Sequence, residues 1–365
     1  MANVPLRAGG PAARIAVLPG DGIGKEVTPE SLKVLRAAVR RPMEFVHFDW
    51  GADKFLRDGV TLPEGAVEML RDEFDAILFG ALGDPRVPSN RHAADILLGL
   101  RFKLDLYVNA RPVDLLDSRL TPLRGRAEGD IRVVIIRENT EGLYAGVGGF
   151  FKKGTADEVA VQEDVNTRKG VERIIRYAYE YARQNRLRRV CMSDKSNAMT
   201  YAHDLWQRVF KELRAEYSDV ESRHLYIDTL AMEIVRDPRQ FDVIVTCNLF
   251  GDILSDLAAQ LAGGLGLAPS GNIHPGRTSL FEPVHGSAPD IAGKGVANPL
   301  GSVLTSAMML DFLGWKSEGD KLRRAVQAAV RENHVTPDLG GSLTTSAVGD
   351  WLAARAGGES ASVVT

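Results

Sequence analysis

FDVIVTCNLFGDILSDLAA, residues 241–259, runs an unbroken apolar stretch into a helical repeat. Read as strand, turn and helix, it places the chain among α/β proteins. Val243, Ile244 and Val245 suit a strand buried on both faces. Beyond the turn, Asp252 and Asp256 stand four residues apart and so share one helix face. Like charges in that relation cost roughly 0.2–0.5 kcal/mol in water and far more when buried unpaired. Ile253, Leu254, Leu257, Ala258, Ala259, Leu261 and Ala262 leave little polar face for a solvated acidic stripe. A bound divalent cation resolves the conflict, and the two aspartates are read as its ligands.

The same strand form recurs in ARIAVLPG (13–20), DAILFGALG (75–83), RVVIIREN (132–139) and RRVCMSD (188–194). Helical repeats lie between some of them, in 25–39, 171–185 and 201–217. In such folds the loops at the carboxyl ends of the strands carry the chemistry. With 365 residues, 44% hydrophobic and 25% charged, the chain can bury one large core or two ordinary domains. A net charge of −3 with scattered basic residues speaks against nucleic acid as a partner. No segment has the roughly 18 uninterrupted apolar residues of a membrane span, and the tail MANVPLRAGGPAAR lacks the apolar core of a signal peptide. Cys191 and Cys247 both sit in apolar strand-like runs, as reduced thiols of a cytoplasmic protein would. Residues 146–167 depart from the pattern, being polar and glycine-bearing with late alternation. They are read as a surface hairpin or, more sharply, as an arm that pairs with a second subunit.

Arg101 closes ADILLGLR, Arg111 follows DLYVNA, and Arg137 ends RVVII. One arginine alone would be an ordinary surface residue. Three at strand or loop ends, with planar donors suited to carboxylates, point together with the aspartates to a dicarboxylate substrate. The loop PGDGIG (19–24) is a poor dinucleotide fingerprint because Gly20, Gly22 and Gly24 alternate, so a Rossmann domain is not expected. A second loop, 282–299, sets His285, Asp290 and Asn298 among small residues, including Gly286, Ser287 and Ala288, that let backbone approach a ligand. Asp290 would repel a 2′-phosphate, which favours NAD over NADP.

GDGIGKE, LLGLR followed by NARPV, RENTEGLYAG, SDKSNAM, NLFGDILSDLAA and EPVHGSAPDIAGKGVANP resemble, in order, the motifs of the metal-dependent β-decarboxylating dehydrogenases, the isopropylmalate/isocitrate dehydrogenase family. The resemblance runs over roughly residues 14–350. It implies an α/β, two-domain isopropylmalate dehydrogenase-like fold with a large mixed sheet flanked by helices, and not a Rossmann domain. Residues 1–106 and 264–365 would form the larger, cofactor-binding domain, and 107–263 the smaller one, with the metal site and the dimer arm. Arg101, Arg111 and Arg137 match the substrate-carboxylate arginines. Asp228, Asp252 and Asp256 match the magnesium or manganese ligands, and Tyr144 and Lys195, with Asp228, the acid–base residues. His285, Gly286, Ser287, Ala288, Asp290 and Asn298 match the loop that binds the adenosine of NAD. A K+ ion is a further possible activator. In the family Lys195 and Asp228 reach into the partner's site, which implies a homodimer.

The implied reaction is NAD-dependent oxidative decarboxylation of a 2-hydroxy dicarboxylate. Isocitrate enzymes resemble one another in a serine and an asparagine where this chain has Asp95 and Leu97, and Asp95 would repel a third carboxylate. Leu97 and Leu98 match the leucines that isopropylmalate enzymes lay against the isopropyl group, whose burial is worth roughly 1.5–3 kcal/mol. Ala94 departs from that pattern, since a glutamate is usual there, and RENTEGLYAG is closer to the tartrate and isocitrate branches. The preferred substrate is 3-isopropylmalate, which places the enzyme in leucine biosynthesis, with D-malate or tartrate as the alternative. A non-catalytic regulatory subunit is the rival of another class; the presence of all three arginines, three aspartates, the tyrosine and the lysine speaks against it.

Overall fold

Apolar strands flanked by helices organise two units of the computed structural model, which describes residues 12–358. Most of the amino-terminal tail therefore lies outside the described residues. One unit takes Met1–Leu106, Asp114–Gly129 and Ala259–Thr365; the other takes Tyr107–Val113 and Asp130–Ala258. Residues 114–129, expected with the middle of the chain, group with its ends. Arg119 donates to the Val330 carbonyl at 2.8 Å and Glu128 pairs with Arg331 at 2.6 Å.

In the first unit the strand order is Met43–His47, Ala13–Gly20, Ala76–Ala81, Ser279–Pro283 and Pro269–Ile273. The first four run parallel and the last is antiparallel, so the sheet is mixed. Ala16, Leu18, Ile77, Phe79 and Leu280 project from these strands into a core completed by Leu70, Ile96 and Leu100. Each leucine, isoleucine or phenylalanine among them is worth about 1.5–3 kcal/mol when removed from water. Pro269–Ile273 and Ser279–Pro283 went unread in the sequence because PSGNI and SLFEP show neither alternation nor an apolar run. Their polar side chains are buried and bonded inward: Ser270 Oγ donates to the Glu282 carbonyl at 2.8 Å, and Asn272 Nδ2 to Glu282 Oε1 at 2.8 Å.

The second unit orders its strands Val108–Asp114, Arg132–Glu138, Val243–Thr246, Arg189–Asp194 and Glu221–Tyr226, the last four running parallel. The register levels Arg137 with Thr246 and Thr246 with Ser193, and Asp194 with Tyr226. Four consecutive parallel strands thus end together. The helix Arg168–Gln184 buries Val171, Ile174, Ile175 and Ala178 at the three- and four-residue spacing of an amphipathic face, and the Thr167 hydroxyl caps its start. Residues 148–162 form an antiparallel hairpin, Gly148–Phe151 with Val159–Gln162, whose residues are all exposed in the single chain. Among the described residues no helix is long and apolar enough to cross a membrane. Cys191 and Cys247 are unbonded and buried, and burial pushes both thiols up to about 12.

Candidate active site

The carboxyl ends of the second unit's parallel strands deliver five of the predicted residues. Arg137 is the penultimate residue of its strand; Asp252 and Asp256 lie on the helix Asn248–Leu261 that follows Val243–Thr246; Lys195 follows Asp194; and Asp228 opens the helix after Tyr226. Arg137 is 1% exposed. Its Nε and Nη2 donate to Asn248 Oδ1 at 3.0 and 2.7 Å, and its Nη1 donates to Asp252. Asn248 is itself fixed by donating to the Glu141 carbonyl at 3.0 Å. Arg111 adds a second guanidinium, with Nη2 3.3 Å from Asp252 and Nη1 3.2 Å from Asp256. Tyr144 donates its hydroxyl to Asp252 Oδ2 at 2.8 Å, beneath the Arg137 guanidinium at 5.1 Å from the ring centre. Arg111, Arg137 and Tyr144 therefore converge on one carboxylate.

The loop that presents Tyr144 is held from below by Glu138. This buried carboxylate accepts from the Thr140 and Glu141 N–H groups at 2.9 and 2.8 Å and from the Thr140 hydroxyl at 2.9 Å. Burial raises its pKa, and those three donors oppose the rise. Burial also raises Asp256, with Arg111 opposing and the Asp252 charge adding to it. Burial is the larger cause; the like charge of Asp252 adds to it by less than Arg111 takes away.

Lys195 Nζ lies 2.8 Å from Asp228 Oδ2, and this bond holds the Asp228 carboxyl below its usual range. The Lys195 N–H donates to His203 Nδ1 at 2.7 Å; burial lowers the His203 pKa, which keeps the ring neutral and able to accept. Among the described residues of one chain no three acidic, histidine or cysteine side chains gather at metal-holding distance. Asp228 is therefore not brought to Asp252 and Asp256 within a single chain.

Arg101, Leu97, Leu98 and the loop after Pro283 belong to the first unit. Leu97 and Leu98 lie half-buried in a π-turn that leads into the helix of Arg101. Arg101 is buried, its Nη2 donates to Glu282 Oε1 at 2.9 Å, and its Nε is a buried donor with no partner among the described residues. The two glycine loops meet: the Ile23 N–H donates to the Ser287 carbonyl at 2.9 Å, and a Cβ at Gly22 would lie 2.0 Å from that oxygen. Ala288 is held at φ +40°, a conformation side chains seldom adopt, so the loop around Gly286 and Ser287 stores strain. His285 buries an Nε2 without a partner among the described residues, and burial lowers its pKa. Asp290 is exposed, whereas Asn298 is buried, donating to Asp338 at 2.9 Å and accepting from the Leu300 N–H at 2.9 Å.

Asn248, Glu138, His203 and Glu282 escaped the sequence reading. Asn248, Glu138 and Glu282 stood inside quoted motifs, and for Asn248 and Glu282 a buried arginine's need for an acceptor was the available signal.

Residues 14–352 match the model of the isocitrate/isopropylmalate dehydrogenase family. The chain belongs to that family. It is 47% identical over 347 residues to a 3-isopropylmalate dehydrogenase of Thermobifida fusca, covering 94% of this chain and 97% of that protein. It is 46% identical to one of Streptomyces coelicolor, covering 94% and 98%. Among solved structures it resembles the isocitrate dehydrogenase of Methylococcus capsulatus, with TM-score 0.86 and 36% identity over 94% of this chain and 99% of that one. A β-decarboxylating dehydrogenase of Thermococcus kodakarensis aligns with TM-score 0.78 and 40% identity over 94% and 96%. The family's α/β fold on a mixed sheet is the one described above, as the motifs implied.

Proposed function

We propose that the protein converts 3-isopropylmalate to 2-oxoisocaproate and CO2 with NAD as oxidant, as a step of leucine biosynthesis in the cytoplasm. The observation that carries this reading is the convergence of Arg111, Arg137 and Tyr144 on Asp252, in a chain so similar to 3-isopropylmalate dehydrogenases. Asp252 and Asp256 supply hard oxygen donors whose mutual repulsion a divalent cation would relieve, so the donor set fits Mg2+ or Mn2+. Bound there, such a cation would lower the pKa of the substrate hydroxyl and draw charge from the carboxylate to be lost. The strained loop of His285 to Asp290, with Asn298, would hold NAD, which when bound would supply the hydride acceptor for the hydroxyl-bearing carbon.

Arg111 and Arg137 turn donors toward the substrate carboxylates, and the partnerless Nε marks Arg101 for the same task. Lys195, hydrogen-bonded to Asp228, takes the hydroxyl proton. Tyr144 returns a proton to the carbon that loses CO2. Leu97 and Leu98 face the isopropyl group. The sites belong to a homodimer in which Lys195 and Asp228 serve the neighbouring subunit. Phe150 and Phe151, 62% and 64% exposed, and Ile253 on the metal-site helix, 62% exposed, support that assembly, because apolar surface of this kind is stable only when covered.

The test is kcat/KM for 3-isopropylmalate, D-malate, tartrate and isocitrate with NAD, before and after stripping metal with EDTA and restoring Mg2+ or Mn2+. The reading expects 3-isopropylmalate to lead and EDTA to abolish turnover reversibly. Faster use of D-malate or tartrate would reassign the substrate, and no turnover of any of the four would leave a regulatory subunit.

A further inference from the structure

Within the first unit, the helix Gly24–Ala38 packs against Thr345–Gly357, and Lys316–Arg331 packs beside both. Alanines and glycines dominate the inner faces near the ends of these helices, and the space their missing side chains leave is a groove of about 600 Å³. That volume suits a small molecule. Arg40, Lys321, Arg324, Arg331 and Arg355 line it, against one carboxylate, Glu332. A cluster of five cations is out of keeping with a chain whose net charge is −3. None of these residues belongs to the proposed active site.

The plain explanation is that basic side chains complement the negative ends of helices. It accounts for Lys321, which donates to the Ala38 carbonyl at 3.1 Å. Arg331 and Arg355 are matched by Glu128 at 2.6 Å and Glu332 at 3.4 Å. Arg40 and Arg324 are not explained. Neither makes an ion pair or a side-chain hydrogen bond among the described residues; exposed Arg124, Arg186 and Arg277 share that state, but Arg40 and Arg324 alone of these five line this groove, beside Lys321, Arg331 and Arg355. Two guanidinium forks thus line a recess already rich in positive charge, where an anion would offset their mutual repulsion.

We infer that this groove binds a compact polyanion, a pyrophosphate-like or tricarboxylate molecule, through Arg40 and Arg324 with Lys321. The volume admits such a ligand, and arginine forks bind phosphate and carboxylate oxygens alike. The site is independent of the proposed reaction.

Isothermal titration of the metal-free, full-length protein at low salt, with pyrophosphate in one arm and citrate in the other, tests the inference. Binding is expected for at least one, and the tighter of the two names the ligand chemistry. The double variant Arg40→Glu/Arg324→Glu should weaken it about tenfold or more while turnover of the substrate stays unchanged. Arg57→Glu, the same charge reversal at a carboxylate-paired arginine, should leave it unaltered. Absence of binding to the wild-type protein at millimolar ligand overturns the inference. So does undiminished binding by the double variant, which would put the anion elsewhere, or equal weakening by Arg57→Glu, which would reduce the effect to net charge.

Discussion

Asp252 is the residue on which the proposed chemistry turns, because two guanidinium groups and a phenol all address it. Tyr144 touches it only through its hydroxyl, so Tyr144→Phe removes one hydrogen bond and the proton source without opening a cavity. We expect kcat to fall about a hundredfold with little change in Tm, since positioned proton transfer is worth roughly that much. Steady-state kinetics and thermal melts of the variant check both halves. At this scale the sequence was informative about acids and cations, whose spacing and neighbours are local. It was silent on Asn248 as the acceptor for Arg137, because an asparagine in an apolar helix start looks like any cap until the strand beside it is placed.

The helix Asn248–Leu261 and the strand Arg132–Glu138 meet at Gly251, where a Cβ would lie 2.6 Å from both Cβ and Cγ of Arg137. Gly251→Ala should therefore displace that guanidinium, raising KM and lowering kcat while helicity by circular dichroism is retained; unaltered kinetics would show that the contact has slack. Another element-level device pins the start of the strand Arg189–Asp194. Asp242 accepts from the Arg188 and Arg189 N–H groups at 3.1 and 3.0 Å and pairs with the Arg189 guanidinium at 2.7 Å. Burial raises the Asp242 pKa, but these donors outweigh it and the carboxyl sits below its ordinary value. A depressed carboxylate contributes stability that is present above the unfolded pKa of about 3.9 and lost as pH falls through the folded value. The Tm deficit of Asp242→Asn should accordingly be full near neutral pH and shrink below about pH 4. A deficit that does not change with pH would refute the linkage. Apolar runs such as VIVT and RVVII made these strands legible, whereas PSGNI did not look like one because its burial depends on Glu282 satisfying Asn272 from the neighbouring strand.

For the whole molecule, the exposed face of the 148–162 hairpin matters most. Replacing Phe150 and Phe151 together by aspartate should leave each chain folded, since neither side chain is buried within it. Under the proposed assembly the variant sediments as a monomer and loses turnover, because Lys195 and Asp228 then have no neighbouring site to complete. A dimeric, active variant would refute the shared site. By itself the sequence determined the α/β class, the paired acids on one helix face and the small-residue loop of 282–299, because hydrophobic period, i to i+4 spacing and glycine content act over a few residues. Only the tertiary structure decided that Arg111, Arg137 and Tyr144 meet at Asp252, that Asp228 stays apart from that cluster within one chain, and that residues 114–129 join the chain ends. Each of these depends on which strands lie side by side and in what register, and that is settled by burial summed over the whole chain.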